Sequence, residues 1–157
     1  MTTCCAAEKT LVLGLGNDLM ADDAIGILAA RRLRGMMEGR ADVCESSLHG
    51  LALLDIFLGY NRALIIDAMQ TGRYPPGTIV ELMSDDLRPI DVPSPHFAGL
   101  PELIELARCM ELPFPSRIRI LAVEVRDTVE VGGPMTPEVS AAIAQLCDQA
   151  CGIVDDF

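Results

Sequence analysis

Hydrophobic and polar positions divide the chain into short apolar runs alternating with stretches of helical spacing. "TLVLGLG" (10–16) reads as a short buried strand ending in glycines, and from Asp23 the spacing turns helical. Ile25, Leu28, Ala29, Leu33 and Met36 share one face, and this helix should end near Met37. "ADVCES" (41–46) predicts a second strand, "LALLDIFLG" (51–59) a short helix closed by Gly59, and "RALIIDA" (62–68) a third strand ending at Asp67. "GTIVELM" (77–83) follows the turn "YPPG" as another strand, with antiparallel edge pairing left open. The proline-rich "DDLRPIDVPSP" (85–95) predicts a loop, "GLPELIELARCM" (99–110) a helix, and "RIRILAVEV" (117–125) a strand. "TPEVSAAIAQLCDQA" (136–150) predicts a last helix, with Thr136 as its cap, Pro137 in its first position and Glu138 in its first turn. Strands alternating with helices indicate an α/β sandwich around a twisted, mainly parallel sheet.

Composition narrows the function classes. The 157 residues suit one domain, 1–157, with 1–9 expected as a flexible tail; half of them are hydrophobic, which excludes a disordered chain. Twelve basic against 23 acidic residues give a net charge of -11. That field repels nucleic-acid backbones and tolerates metal cations or basic peptides. No run approaches the about 18 apolar residues of a membrane span, and "MTTCCAAEK" lacks the charge-then-apolar order of a signal peptide. The expected compartment is the cytoplasm, with Cys4, Cys5, Cys44, Cys109, Cys147 and Cys151 reduced. Cys147 and Cys151 could supply half a metal site, but no second half accompanies them, and they read as core or surface thiols.

Sites in such sheets lie beyond the carboxyl ends of strands. Asp22 and Asp23 follow the first strand, Asp67 ends the third, and His96 stands in "PSPHFAG" before a helix. "GLGNDLMADDAIG" (14–26) begins like a phosphate loop, yet Asn17 and Asp18 occupy the closing positions and two further acids open the helix. Carboxylates there would repel a diphosphate, and no Gly-Lys-Ser/Thr follows. Carboxylates with an imidazole suit a divalent metal such as zinc, nickel or iron. Each residue also has a plainer reading: Asp23 as a helix cap, Asp67 as a cap after its strand, His96 as a donor within the loop. Serine-nucleophile readings are poor, since neither Ser94 near His96 nor Ser47 near His49 sits in a nucleophile elbow. With two histidines in the chain, a three-histidine site within one molecule is excluded.

Taken together, "GLGNDLMADDAIG", "ALIIDA" with "PPGTIVEL", "SPHFAGL", "ILAVEV" and "MTPEVSAAI" resemble, in order and spacing, the nickel-iron hydrogenase maturation endopeptidases. The resemblance covers nearly the whole chain. It implies a three-layer αβα sandwich of the phosphorylase/hydrolase-like kind, and an endopeptidase that removes the C-terminal extension of a nickel-loaded large-subunit precursor. It carries the metal-binding and catalytic roles onto Asp23, Asp67 and His96, with nickel supplied by the substrate; zinc or cadmium could fill the site in isolation. Where the family commonly has Glu, this chain has Asp23, one methylene shorter. Asp22 is expected to cap or support the loop, and Asn17 is a supporting candidate. After the second strand many relatives have an Asp-Gly-Gly-Thr type segment; "ESSLHG" (45–50) stands there instead, with Glu45 keeping an acid and His49 adding an imidazole near the substrate region.

The implied chemistry is metal-bound water or a metal-polarised carbonyl, or else Asp67 or Asp23 as general base. Two other readings stay open at this point. A peptidyl-tRNA hydrolase-like enzyme would use Asn17 in an Asn–Asp–His arrangement, although the acidic surface argues against tRNA. A non-catalytic nickel-sensing or chaperone partner would keep the ligands and cleave nothing.

Overall fold

The computed structural model describes residues 8–87 and 94–157. Five strands form one sheet: β1 (Thr10–Leu15), β2 (Asp42–Ser46), β3 (Arg62–Met69), β4 (Ile79–Met83) and β5 (Arg117–Glu124). Their order across the sheet is β2-β1-β3-β5-β4. The first three pairings are parallel, and β4 closes the edge antiparallel to β5. Four helices accompany them: α1 (Ile25–Met36), the single turn α2 (Leu54–Phe57), α3 (Leu100–Cys109) and α4 (Pro137–Asp155).

The strand side chains alternate between two cores. Val12, Leu64, Ile66, Leu121 and Val123 pack with α1 and α4 on one face. Leu11, Leu13, Ile65, Ile118 and Ile120 pack with Phe57, Phe97 and α3 on the other. A parallel sheet covered on both sides has no polar face, which is why β1 reads as an unbroken apolar run and is buried at every position. The result is the three-layer sandwich expected from the order of elements.

Several boundaries differ from expectation. Ala21–Ala24 form a 3-10 turn before α1, so Asp23 precedes the α-helix proper. β3 continues past Asp67 to Met69, because Asp67–Met69 still pair with Ala122–Glu124 of β5. α4 runs on to Asp155, with Ile153 and Val154 still facing the core. Of the expected 85–95 loop, Ser84–Asp86 form a 3-10 turn, and 88–93 lie outside the described residues, as do 1–7 of the expected tail. Lys9, at the end of that tail, donates its N–H to Asn61. Among the described residues, no helix is long and apolar enough to cross a membrane.

The glycines of the opening motif serve packing, not phosphate binding. A Cβ added to Gly26 would lie 2.1 Å from the Leu15 carbonyl oxygen and 2.4 Å from that of Ile66. One added to Gly16 would lie 2.1 Å from the Asp23 carbonyl oxygen. The turn bearing Asp23 therefore rests directly on the ends of β1 and β3. That place is the switch point of the sheet, where the chain leaves β1 for β2 on one side and returns to β3 on the other.

Candidate active site

Three elements bring Asp23, Asp67 and His96 together. The 3-10 turn after β1 carries Asp23, β3 carries Asp67, and the turn before α3 carries His96. One ligand atom from each lies within 4.8 Å of the others, and all three residues are buried. His96 Nε2 stands 3.4 Å from Asp23 Oδ2. Asp67 accepts the Ala68 N–H at Oδ1 (2.8 Å) and the Ser94 hydroxyl at Oδ2 (2.7 Å). Neither carboxylate is a helix cap. His96 Nδ1 is buried with no hydrogen-bond partner among the described residues; the nearby Leu48 carbonyl favours the charged ring, short of hydrogen-bond geometry.

Two members of the trio, Asp67 and His96, are displaced from their ordinary ionisation. Burial pushes the Asp67 carboxyl up to about 7, against the opposing pull of the His96 charge and the Ser94 hydroxyl. The Asp23 carboxylate, and more weakly the charge on Asp67, raise the His96 imidazole above its ordinary value despite partial burial. Both shifts favour protonated forms in the folded state, so both stabilise at low pH and lose that effect as pH rises through the folded values. Asp67→Asn cannot ionise. The stability of wild type relative to D67N should therefore fall between about pH 4 and about pH 7 in chelator-treated protein, as read by urea melts at each pH. A gap that stays constant with pH would refute the assignment of a displaced carboxyl to Asp67.

Asp22 points away from this cluster and is fully buried. It accepts the backbone N–H groups of Arg126, Asp127 and Thr136, and the Thr136 hydroxyl, at 2.7–3.1 Å. Its own N–H donates to the Asp127 carbonyl at 3.0 Å. The expected supporting role thus takes a definite form: Asp22 ties the 126–136 connection to the turn that holds Asp23. Thr136 does precede α4, but its hydroxyl serves Asp22 and does not cap the helix. Asp22→Asn offers one acceptor oxygen and turns an NH2 toward these donors. It should cost about 2–4 kcal/mol in denaturant melts, since hydrogen bonds to a charged group are lost and donors are stranded; a cost below about 1 kcal/mol would contradict this role.

The remaining candidates contribute no ligand atom to the cluster, although Gly50, next to His49, packs against the turn that carries His96. Asn17 accepts the Leu19 N–H through its side chain, forming a local turn. Glu45 shares Arg31 with Asp18, both at 2.8 Å, in an exposed arrangement that adds little stability. Asn17, Asp18, Arg31 and Glu45 line an open concavity of about 430 Å³ beside Gly16, which the three cluster residues do not line. His49 is exposed, in extended backbone just before a 3-10 turn at Gly50–Leu53.

Two buried polar residues were not read as site supports. Glu124, at the end of β5, accepts the Thr71 and Gly72 N–H groups at 2.8 Å and the Thr71 hydroxyl, pinning the loop after β3. Its place at the end of an apolar strand was the available signal. Ser94, a poor nucleophile candidate by sequence, donates its hydroxyl to Asp67 while the His96 ring faces Asp23. Ser94 and His96 are thus not a nucleophile–base pair.

The model of the HycI hydrogenase maturation protease family matches residues 28–153. Among characterised proteins, the chain is 29% identical to the hydrogenase expression/formation protein HupD of Bradyrhizobium diazoefficiens, covering 100% of this chain and 83% of that one. It is 28% identical to the hydrogenase 2 maturation protease of Escherichia coli, covering 90% and 87%. Among solved structures, the hydrogenase maturating endopeptidase HybD from E. coli superposes with a TM-score of 0.75 at 27% identity, covering 94% and 93%. The hydrogenase maturation protease HybD from Thermococcus kodakarensis gives 0.73 at 25%, covering 93% and 99%. These likenesses displace the peptidyl-tRNA hydrolase and non-catalytic readings. With a family model spanning most of the sandwich and this fold in common, the chain belongs to the hydrogenase maturation proteases and is a peptidase.

Proposed function

We propose that this peptidase removes the C-terminal extension of a nickel-iron hydrogenase large-subunit precursor, and that Asp23, Asp67 and His96 recognise the nickel the precursor carries. The observation that carries this reading is the buried trio at the switch point. Its ligand atoms, at most 4.8 Å apart, need to close by about 1–2 Å to share one ion, because bonds of about 2.1 Å at tetrahedral angles set separations of about 3.4 Å. A divalent cation there would oppose both shifts, favouring the ionised Asp67 carboxylate and the neutral His96 imidazole. Asp23, although shorter than Glu, reaches within 3.4 Å of His96 because Gly16 and Gly26 let its turn settle onto the sheet.

In this reading the nickel arrives on thiolates of the precursor, and the protease adds two oxygens and one nitrogen. Binding then demands a loaded metal and a tail still attached. The nickel polarises the scissile carbonyl or its bound water, or holds the bond while a carboxylate takes the proton of the attacking water. Isolated protein would take zinc or cadmium in the same place.

The test is incubation with a large-subunit precursor from the same genome, nickel-loaded and nickel-free in parallel, read by intact mass. Loss of one defined C-terminal peptide from the loaded form alone is expected. Equal cleavage of both forms would overturn the nickel recognition, and cleavage of neither, with a second large subunit from that genome also left intact, would overturn the substrate.

A further inference from the structure

The proline-rich segment delivers more to the site than His96. Ser94 is 4% exposed and sits opposite Asp67. Its single hydroxyl proton goes to Asp67 Oδ2 at 2.7 Å, and its oxygen in turn accepts the backbone N–H of His96 at 3.2 Å. The chain then turns on itself, with the Phe97 N–H donating to the Ser94 carbonyl, and Phe97 is fully buried in the core under α3. One hydroxyl therefore joins two of the three cluster residues, and it is anchored by packing.

A buried carboxylate has about four lone-pair sites. The Ala68 N–H takes one on Oδ1 and Ser94 takes one on Oδ2, which fixes the plane of the group from both ends and leaves the other sites for the space shared with Asp23 and His96. Without the hydroxyl, rotation about the Asp67 side chain would be opposed only by a hydrogen bond to the next residue. We propose that Ser94 is a positioning residue: it holds the Asp67 carboxylate and the His96 backbone in the mutual arrangement that receives the ion. This inference rests on the reading of Asp23, Asp67 and His96 as ligands.

The test measures Cd²⁺ binding to full-length, chelator-treated protein by calorimetry, with Ser94→Ala and Ser94→Thr beside wild type. Loss of a partner that orients a ligand typically weakens metal affinity about 10–100-fold. S94A should show that loss, and S94T, which keeps the hydroxyl, should stay within about 3-fold of wild type, well short of the loss for a missing partner. A merely structural role would not sort the variants by hydroxyl. The isosteric pair S94T and S94V carries the same comparison should S94A fold poorly, S94V being expected to bind as weakly as S94A. Wild-type affinity in S94A, or equal affinities in S94T and S94V, would overturn the positioning role while leaving the ligand reading intact. Wild-type protein that takes up no Cd²⁺ would overturn both.

Discussion

Replacing His96 with alanine will stop precursor processing and leave the fold standing. His96 meets Asp23 through Nε2 at 3.4 Å, and its other ring nitrogen is buried without a hydrogen-bond partner among the described residues, so truncation breaks one long side-chain hydrogen bond. The imidazole is the sole nitrogen donor of the trio. Removing a ligand should cost more than removing a partner that orients one, so processing should fall by more than about 100-fold. The variant also takes away the charge that restrains the rise of Asp67, and chelator-treated H96A should be folded best at mildly acid pH. Rates from intact mass, beside circular dichroism melts of the same samples, check both halves. Normal processing by folded H96A would remove His96 from the mechanism.

Gly26→Ala will be strongly destabilising. Its Cβ would sit 2.1 Å and 2.4 Å from carbonyl oxygens of β1 and β3, and neither oxygen can move, because both belong to the buried centre of the sheet. Overpacking usually costs about 1–3 kcal/mol when side chains can shift, and here only backbone can yield. A loss of about 3 kcal/mol or more follows, which for a chain of this size lowers Tm by about 6–12 °C. Asp22 and Asp23 stand on the turn that would be displaced, so processing should fall even where the variant remains folded. Gly35→Ala, on the same helix with nothing within 4 Å, is the control. It should raise stability by about 0.5–1 kcal/mol through helix propensity alone. A G26A melt indistinguishable from wild type would contradict the close seating of α1.

These two glycines also show how far the sequence could be read. Apolar runs located β1, β3 and β5, since a doubly covered sheet writes its burial directly into composition, whereas β2 and β4 are only half-buried edges. The acids after β1 argued against a phosphate loop, and that reading of the motif holds, but the purpose of the glycines was hidden. Close approach of a turn to a strand leaves no mark beyond the small residue itself. The end of β3 was placed two residues early because Asp67 looks like a strand terminator, whereas its hydrogen-bonding register with β5 carries the strand on to Met69. Asp22 and Asp23 are chemically identical neighbours, and periodicity could not say which faces the cluster. The family resemblance chose Asp23; the structure adds why, since the 3-10 turn sends Asp22 to the 126–136 connection. Ser94 and Glu124 escaped because each acts through a partner 27 or 53 positions distant, beyond any local pattern.

The most direct test of the account concerns the nickel itself. Nickel-edge X-ray absorption of the loaded precursor, alone and freeze-trapped with the protease before cleavage, reports the number and kind of atoms bound to the ion. The account predicts that the complex gains oxygen and nitrogen neighbours at about 2.0–2.2 Å, and that the complex with H96A lacks the imidazole contribution. A coordination sphere unchanged by a protease that is demonstrably bound would contradict it.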